Sequence, residues 1–112
     1  MRTQKPCGYF ETLYEGDGFK VKSVVVNPGS RLSLKTHKHR SEHWTVVKGT
    51  AIFQIGENKE EVESDQTRYI AKGKKHRLEN QGPHPLEIIE VQCGEYLGED
   101  DIIRLDDDYD RS

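Results

Sequence analysis

The sequence predicts an all-β fold, a jelly-roll barrel or sandwich made by one domain. Strand-like segments of alternating or β-branched residues recur at short intervals, each ends at a turn signal, and none sustains the 3.6-residue apolar period of an amphipathic helix. The length, 112 residues, suits one domain and is too short for two ordinary ones. Residues 1–112 are therefore read as a single domain with an acidic tail from about position 99.

In chain order, residues 19–26 (FKVKSVVV) form a strand that stops at Asn27-Pro28-Gly29, and residues 31–36 (RLSLKT) alternate into a histidine-rich segment. Residues 43–48 (HWTVVK) end at Gly49. Residues 50–55 (TAIFQI) meet the hairpin signal Gly56-Glu57-Asn58, and residues 59–63 (KEEVE) read as a polar, exposed return strand. Residues 67–70 (TRYI) lead to a turn at Gly73, residues 76–80 (HRLEN) are short, Gln81-Gly82-Pro83 turns again, and residues 85–92 (PLEIIEVQ) are the last strong strand. This amounts to about eight strands with regular turns. Ile102, Ile103, Leu105 and Tyr109 give the acidic tail enough apolar character to dock a short helix or strand.

Hydrophobic residues are 32% of the chain and charged residues 33%, a thin apolar supply for a barrel that must fill its own interior. Burial against a second copy would help, so a homodimer is expected. The N-terminal segment lacks the apolar run of a signal peptide, and the longest aliphatic run is residues 24–26, so neither a leader nor a membrane span is expected. Cys7 and Cys93 match neither a CxxC pair nor a disulfide framework, which fits the cytoplasm.

The net charge of −3 hides an asymmetry: residues 99–112 carry seven acids against Arg104 and Arg111. Residues 1–98 are consequently +2, and Lys35, Lys38, Arg40, Lys72, Lys74, Lys75 and Arg77 bracket the histidines. Such a local field attracts a small anion. Nucleic acid is not an expected partner, because no aromatic-interleaved basic stripe is present.

Four of the five histidines fall into two clusters, His37-Lys-His39-Arg-Ser-Glu42-His43 and Gly73-Lys-Lys-His76. If His37 and His39 lie in a strand, its period of two points them to one face, where they can share an ion. Glu42 then begins a return strand, with Trp44 and Val46 on its face, and can close a third coordination position.

These residues resemble the cupins. Gly29, His37-Lys-His39, Glu42 and Gly49 are similar to the first cupin motif, and Ala71-Lys-Gly73-Lys-Lys-His76-Arg-Leu-Glu-Asn80 to the second, with Ala71 in place of its proline. The resemblance implies a double-stranded β-helix and brings His76 to the site, giving the ligand set His37, His39, Glu42 and His76. Segments 19–22, 28–34, 37–51, 76–80 and 85–104 are similar to type II mannose-6-phosphate isomerase, over nearly the whole chain. In that family the isomerase domain often follows a mannose-1-phosphate guanylyltransferase domain, and the expectation here is that domain standing alone. Cys7 stands where the family usually has Trp, Lys35 where it has Gln, and Asp110 where it has Gly. Lys35 has the parity of His37 and His39, so a charged amine enters the site.

Three imidazoles and a carboxylate leave positions open on Zn, Mn, Fe(II), Co or Ni, and the ligands alone do not select among them. An open position beside a cationic rim suits aldose–ketose isomerisation of a sugar phosphate, and the resemblance implies mannose 6-phosphate to fructose 6-phosphate. Lys35, Arg40 and Lys74 are the candidates to hold this anionic substrate. Arg40 lies between two ligands and presents a planar fork to phosphate, with a turn-holding pair to a carboxylate as its alternative. No general base stands out. Arg40 and His43 are the catalytic candidates, although strand alternation after Glu42 turns His43 to the opposite face. The alternatives are a cupin that binds or senses phosphosugars without turnover, and a cupin oxygenase.

Overall fold

The computed structural model describes residues 2–98 and 100–106. Eleven strands and no helix occur among them: β1 (Arg2–Lys5), β2 (Gly8–Gly16), β3 (Phe19–Val26), β4 (Leu34–Thr36), β5 (Arg40–Lys48), β6 (Ala51–Ile55), β7 (Asn58–Val62), β8 (Thr67–Ile70), β9 (His76–Glu79), β10 (Leu86–Gly94) and β11 (Ile103–Asp106). They form two antiparallel sheets, ordered β1-β2-β3-β10-β5-β8 and β11-β4-β9-β6-β7. The expected all-β architecture holds. Among the described residues no helix is long and apolar enough to cross a membrane.

β1, β2 and β11 are additions to the expected strands. β1 and β2 make an edge hairpin with mostly half-exposed or exposed residues, so they carry no clean apolar alternation. A register shift between Thr12 and Tyr14 breaks the pattern further. The tail docks as a strand paired with β4, Ile103 opposite Thr36 and Arg104 opposite Lys35, but by its backbone, since the Ile103 and Leu105 side chains are exposed. Glu99, Asp107, Asp108, Tyr109, Asp110 and Arg111 lie outside the described residues.

The Gly56-Glu57 hairpin is as read: Gly56 has φ of 63° and Ile55 faces Asn58. Turns beside the histidine motifs also use glycine, with φ of 90° at Gly49 and 77° at Gly73. Asn80 has a structural role: its Nδ2 donates to the carbonyls of Val26 (3.0 Å) and His84 (2.8 Å), and its Oδ1 accepts from Gly82 N–H (2.9 Å).

The interior is divided along the strands. Alternate residues of the adjacent strands β3, β10 and β5 point inward, and register aligns them: Val26 with Leu86, Val24 with Ile88 and Val46, then Lys22 with Glu90 and Trp44, and Gln92 with Glu42 and Lys20. One end of the barrel is therefore apolar, the other polar and charged. In the apolar end Trp44, Phe53, Leu78, Leu86 and Ile88 are almost fully buried, and the Trp44 and Phe53 rings meet edge to face at 5.1 Å. Each large side chain buried there contributes about 1.5–3 kcal/mol, which lets the opposite end keep polar groups out of water.

Candidate metal centre

His37, Glu42 and His76 converge where the two ends meet. They are 3%, 2% and 1% exposed, and their ligand atoms lie within 4.8 Å of one another. Glu42 comes from β5 and His76 from β9, while His37 directly follows β4. Two backbone links bring the motifs together: Gly73 N–H donates to the His37 carbonyl (2.8 Å), and His76 pairs with Lys35.

The hydrogen bonds fix the state of each ring. His37 Nδ1 lies 2.6 Å from the Asp101 carbonyl and His76 Nδ1 2.9 Å from the Lys74 carbonyl. A carbonyl only accepts, so both Nδ1 atoms carry the proton and both Nε2 lone pairs face the cluster. His37 Nε2 accepts from Arg40 Nη2 (3.2 Å), whereas buried His76 Nε2 has no hydrogen-bond partner among the described residues. Burial lowers the His37 pKa and takes His76 down to about 4, so neutral imidazoles are favoured. Burial alone would raise Glu42, but His76, His37, Arg40 and Lys35 bring it down to about 2. Two neutral Nε2 donors, one of them orphaned, and an ionised carboxylate are what a divalent cation requires. The residues fit such an ion.

His39 is not brought to this cluster. The strand assumed to carry both histidines stops at Thr36, and Lys38-His39 bends, so the period of two does not apply. The Asp101 carboxylate holds that bend by accepting from the N–H groups of Lys38 (3.0 Å) and His39 (2.9 Å). His39 is turned outward, its ring 6.0 Å from Tyr96. The residue sharing inward parity with His37 is Lys35, half-buried, with its pKa lowered by burial against the pull of Glu90 and Glu42.

Beside the cluster lies a cavity of about 390 Å³, lined by Glu42 and Glu90, by Lys22, Lys35, Arg40 and Arg104, and by apolar Phe10, Val24, Leu32 and Ile102. Arg40 is 3% exposed and engaged, its Nε donating to Glu42 Oε2 at 2.8 Å. This is the carboxylate pair weighed as the alternative to an anion clamp. Lys74 stands apart from the cavity, exposed, with its side chain over Gly56. His43 is exposed on the outer face, 4.9 Å from the Tyr69 ring, and reaches neither cluster nor cavity.

The sequence model described as "Mannose-6-phosphate isomerase C-terminal" matches residues 1–107. The chain belongs to this family. It is 48% identical over 111 residues to the xanthan biosynthesis protein XanB of Xanthomonas campestris pv. campestris, covering 99% of this chain and 24% of that protein. It is 47% identical over 105 residues to mannose-1-phosphate guanylyltransferase 2 of Escherichia coli O157:H7, covering 94% and 22%. With the alginate biosynthesis protein AlgA of Pseudomonas aeruginosa it shares 49% identity over 108 residues, covering 96% and 22%. This mannose-6-phosphate isomerase C-terminal chain thus spans about a quarter of the length of these relatives. The fold recurs in CapF of Staphylococcus aureus (TM-score 0.81, 20% identity, 95% of this chain and 34% of that one) and in the Cnp3 cupin domain of Schizosaccharomyces pombe (TM-score 0.78, 15% identity, 84% and 68%).

Several residues that shape the family member's site were absent from the sequence reading. Glu90 and Gln92 share the parity of Leu86 and Ile88, which was legible in residues 85–92. Lys22 likewise shares the parity of Val24 and Val26. Asp101 had no local signal, because its contacts are made across more than 60 positions.

Proposed function

We propose that this chain is a metal-dependent aldose–ketose isomerase of sugar phosphates, with mannose 6-phosphate to fructose 6-phosphate as its reaction. The observation that carries the reading is the buried His37, Glu42 and His76 cluster opening through Glu42 onto a cavity whose cations outnumber its carboxylates. His37, Glu42 and His76 would hold the ion, which when bound supplies Lewis acidity towards neighbouring sugar oxygens. Lys22, Lys35 and Arg104 give the cavity the positive field that a phosphate seeks. Phe10, Leu32 and Ile102 exclude water from its walls, which strengthens those charges. The presence of mannose-1-phosphate guanylyltransferase 2 among the relatives is consistent with a mannose phosphate substrate.

One observation favours a second reading, a cupin that binds phosphosugars without converting them. Lys35 brings an amine to the inward position beside His37, where the resembled family carries the neutral Gln. One experiment separates the readings: the protein reconstituted with Zn, Mn, Fe(II), Co or Ni is incubated with a panel of hexose phosphates and followed by NMR. Interconversion of mannose 6-phosphate and fructose 6-phosphate is expected. Binding without turnover for every metal would establish the second reading in its place.

A further inference from the structure

We propose that Glu90 is the proton-carrying group of the cavity, moving one proton between adjacent carbons of the bound sugar phosphate. This rests on the isomerase reading. Such a reaction needs a group that takes a proton from one carbon and returns it to the next. The cluster does not supply it. Glu42 Oε2 is engaged by Arg40 Nε at 2.8 Å and Oε1 by Trp44 Nε1 at 2.7 Å, and both histidines aim their Nε2 atoms at the ion site. His43 is on the outer face.

Glu90 meets the requirements. It projects inward from the middle of β10, is 6% exposed and lines the cavity, with Lys22 of β3 on one side in register and Trp44 of β5 on the other. Among the described residues, one hydrogen bond reaches its carboxylate, from Gln92 Nε2 to Oε1 at 3.2 Å. Glu90 is thus held in place without being saturated. The charged groups lining the cavity with it are Lys5 from β1, Lys22 from β3, Lys35 from β4, Arg40 and Glu42 from β5, and Arg104 from β11. Burial, reinforced by Glu42 and opposed by Lys35 and Lys22, raises its pKa to about 7, so near neutrality it can both take and release a proton.

The step balances within the substrate. Glu90 takes the proton on C2 of the aldose, the C–H electron pair becomes the C1–C2 double bond, and the C1 carbonyl pair moves onto its oxygen. Glu90 then returns the proton to C1 while the C2 hydroxyl proton passes to O1 and the C2 carbonyl forms. No electrons enter or leave, and no co-reactant is needed.

The test uses the metal-reconstituted full chain, Glu90→Gln and Glu90→Asp. Turnover of mannose 6-phosphate and, in D₂O, deuterium entry at C1 of the ketose and on reversal at C2 of the aldose are followed by NMR, ion content by elemental analysis and sugar-phosphate binding by calorimetry. Glu90→Gln is expected to keep its ion and bind within about threefold of wild type, while kcat falls about 100-fold or more and deuterium entry is lost. Glu90→Asp, which keeps a carboxylate on a shorter arm, is expected to lose about tenfold or more in kcat with KM little changed, and decides the matter if Glu90→Gln does not fold. Wild-type-like kcat in a folded Glu90→Gln, or in Glu90→Asp if it alone folds, overturns the role, as does loss of ion or sugar binding along with activity. If wild type turns over sugar phosphate and the variant does too, only the Glu90 assignment falls. If wild type neither converts nor exchanges any hexose phosphate, the isomerase reading falls and takes Glu90 with it.

Discussion

The guanidinium of Arg40 reaches the same two atoms, His37 Nε2 and Glu42 Oε2, that a bound cation would use. It keeps the buried carboxylate paired, which matters because an unpaired charge there would cost several kcal/mol. A bound ion would take the place of the guanidinium on those two atoms, and Arg40 also lines the cavity. The ion site itself is tested by ligand removal. Elemental analysis is expected to find about one ion per chain in wild type and His39→Ala, and to find it lost in His76→Ala and Glu42→Gln, since removing an outer-sphere or ligand group costs tenfold or more in affinity. Loss in His39→Ala equal to that in His76→Ala would restore the four-ligand set. That His39 lies outside the cluster was not legible in the sequence. His37-Lys-His39 has the spacing of two side chains on one strand face, but the strand ends at Thr36 and the bend that follows is held by the Asp101 carboxylate, 62 positions away from His39.

At the scale of the elements, β5 and β10 were legible in kind because their inward residues alternate without interruption, and the β6–β7 hairpin because Gly56 marks it. The β1–β2 edge hairpin was not, since its residues are mostly exposed or half-exposed and leave no clean apolar period to read. Two glycines near the cluster distinguish strain from contact. Gly73 has φ of 77° and open space around a would-be Cβ, so Gly73→Val costs backbone strain alone, about 1–2 kcal/mol. In Gly94 a Cβ would stand 2.1 Å from the His39 carbonyl oxygen and 3.0 Å from Arg40 Cα, both backbone atoms that cannot swing aside. Gly94 pairs with Arg40, so Gly94→Ala pushes apart β10 and the start of β5. Thermal melts of both variants are expected to show the larger fall for Gly94→Ala, accompanied by weaker metal binding, while Gly73→Val melts lower with its metal retained. Equal melting temperatures for wild type and Gly94→Ala would mean that β5 does not approach β10 this closely.

Across the whole molecule, the apolar end supplies the stability and the polar end spends part of it. The register that stacks Val24, Ile88 and Val46 also places Lys22, Glu90 and Glu42 out of water. This gives the fold a pH signature whose signs differ from group to group. The His76 pKa, lowered by burial to about 4 from its ordinary 6.5, costs stability as pH falls through that interval, because the unfolded chain then binds the proton first. Glu90 acts in the opposite direction. Burial and Glu42 raise it to about 7 from its ordinary 4.5, so between these values the folded chain holds a proton that the unfolded chain has released. Its stabilising share is whole below pH 4.5 and is lost as pH rises through 7. A difference between wild type and Glu90→Gln cancels the His76 contribution and isolates this one. For chelator-treated protein, urea unfolding from pH 4 to 8 is expected to leave the variant near wild type at pH 4. By pH 8 the variant should have gained relative stability, bounded at about 3 kcal/mol by the size of the shift. A difference that stays flat across the range would mean that Glu90 is ionised throughout and that the polar end of the barrel is wetter than its burial implies.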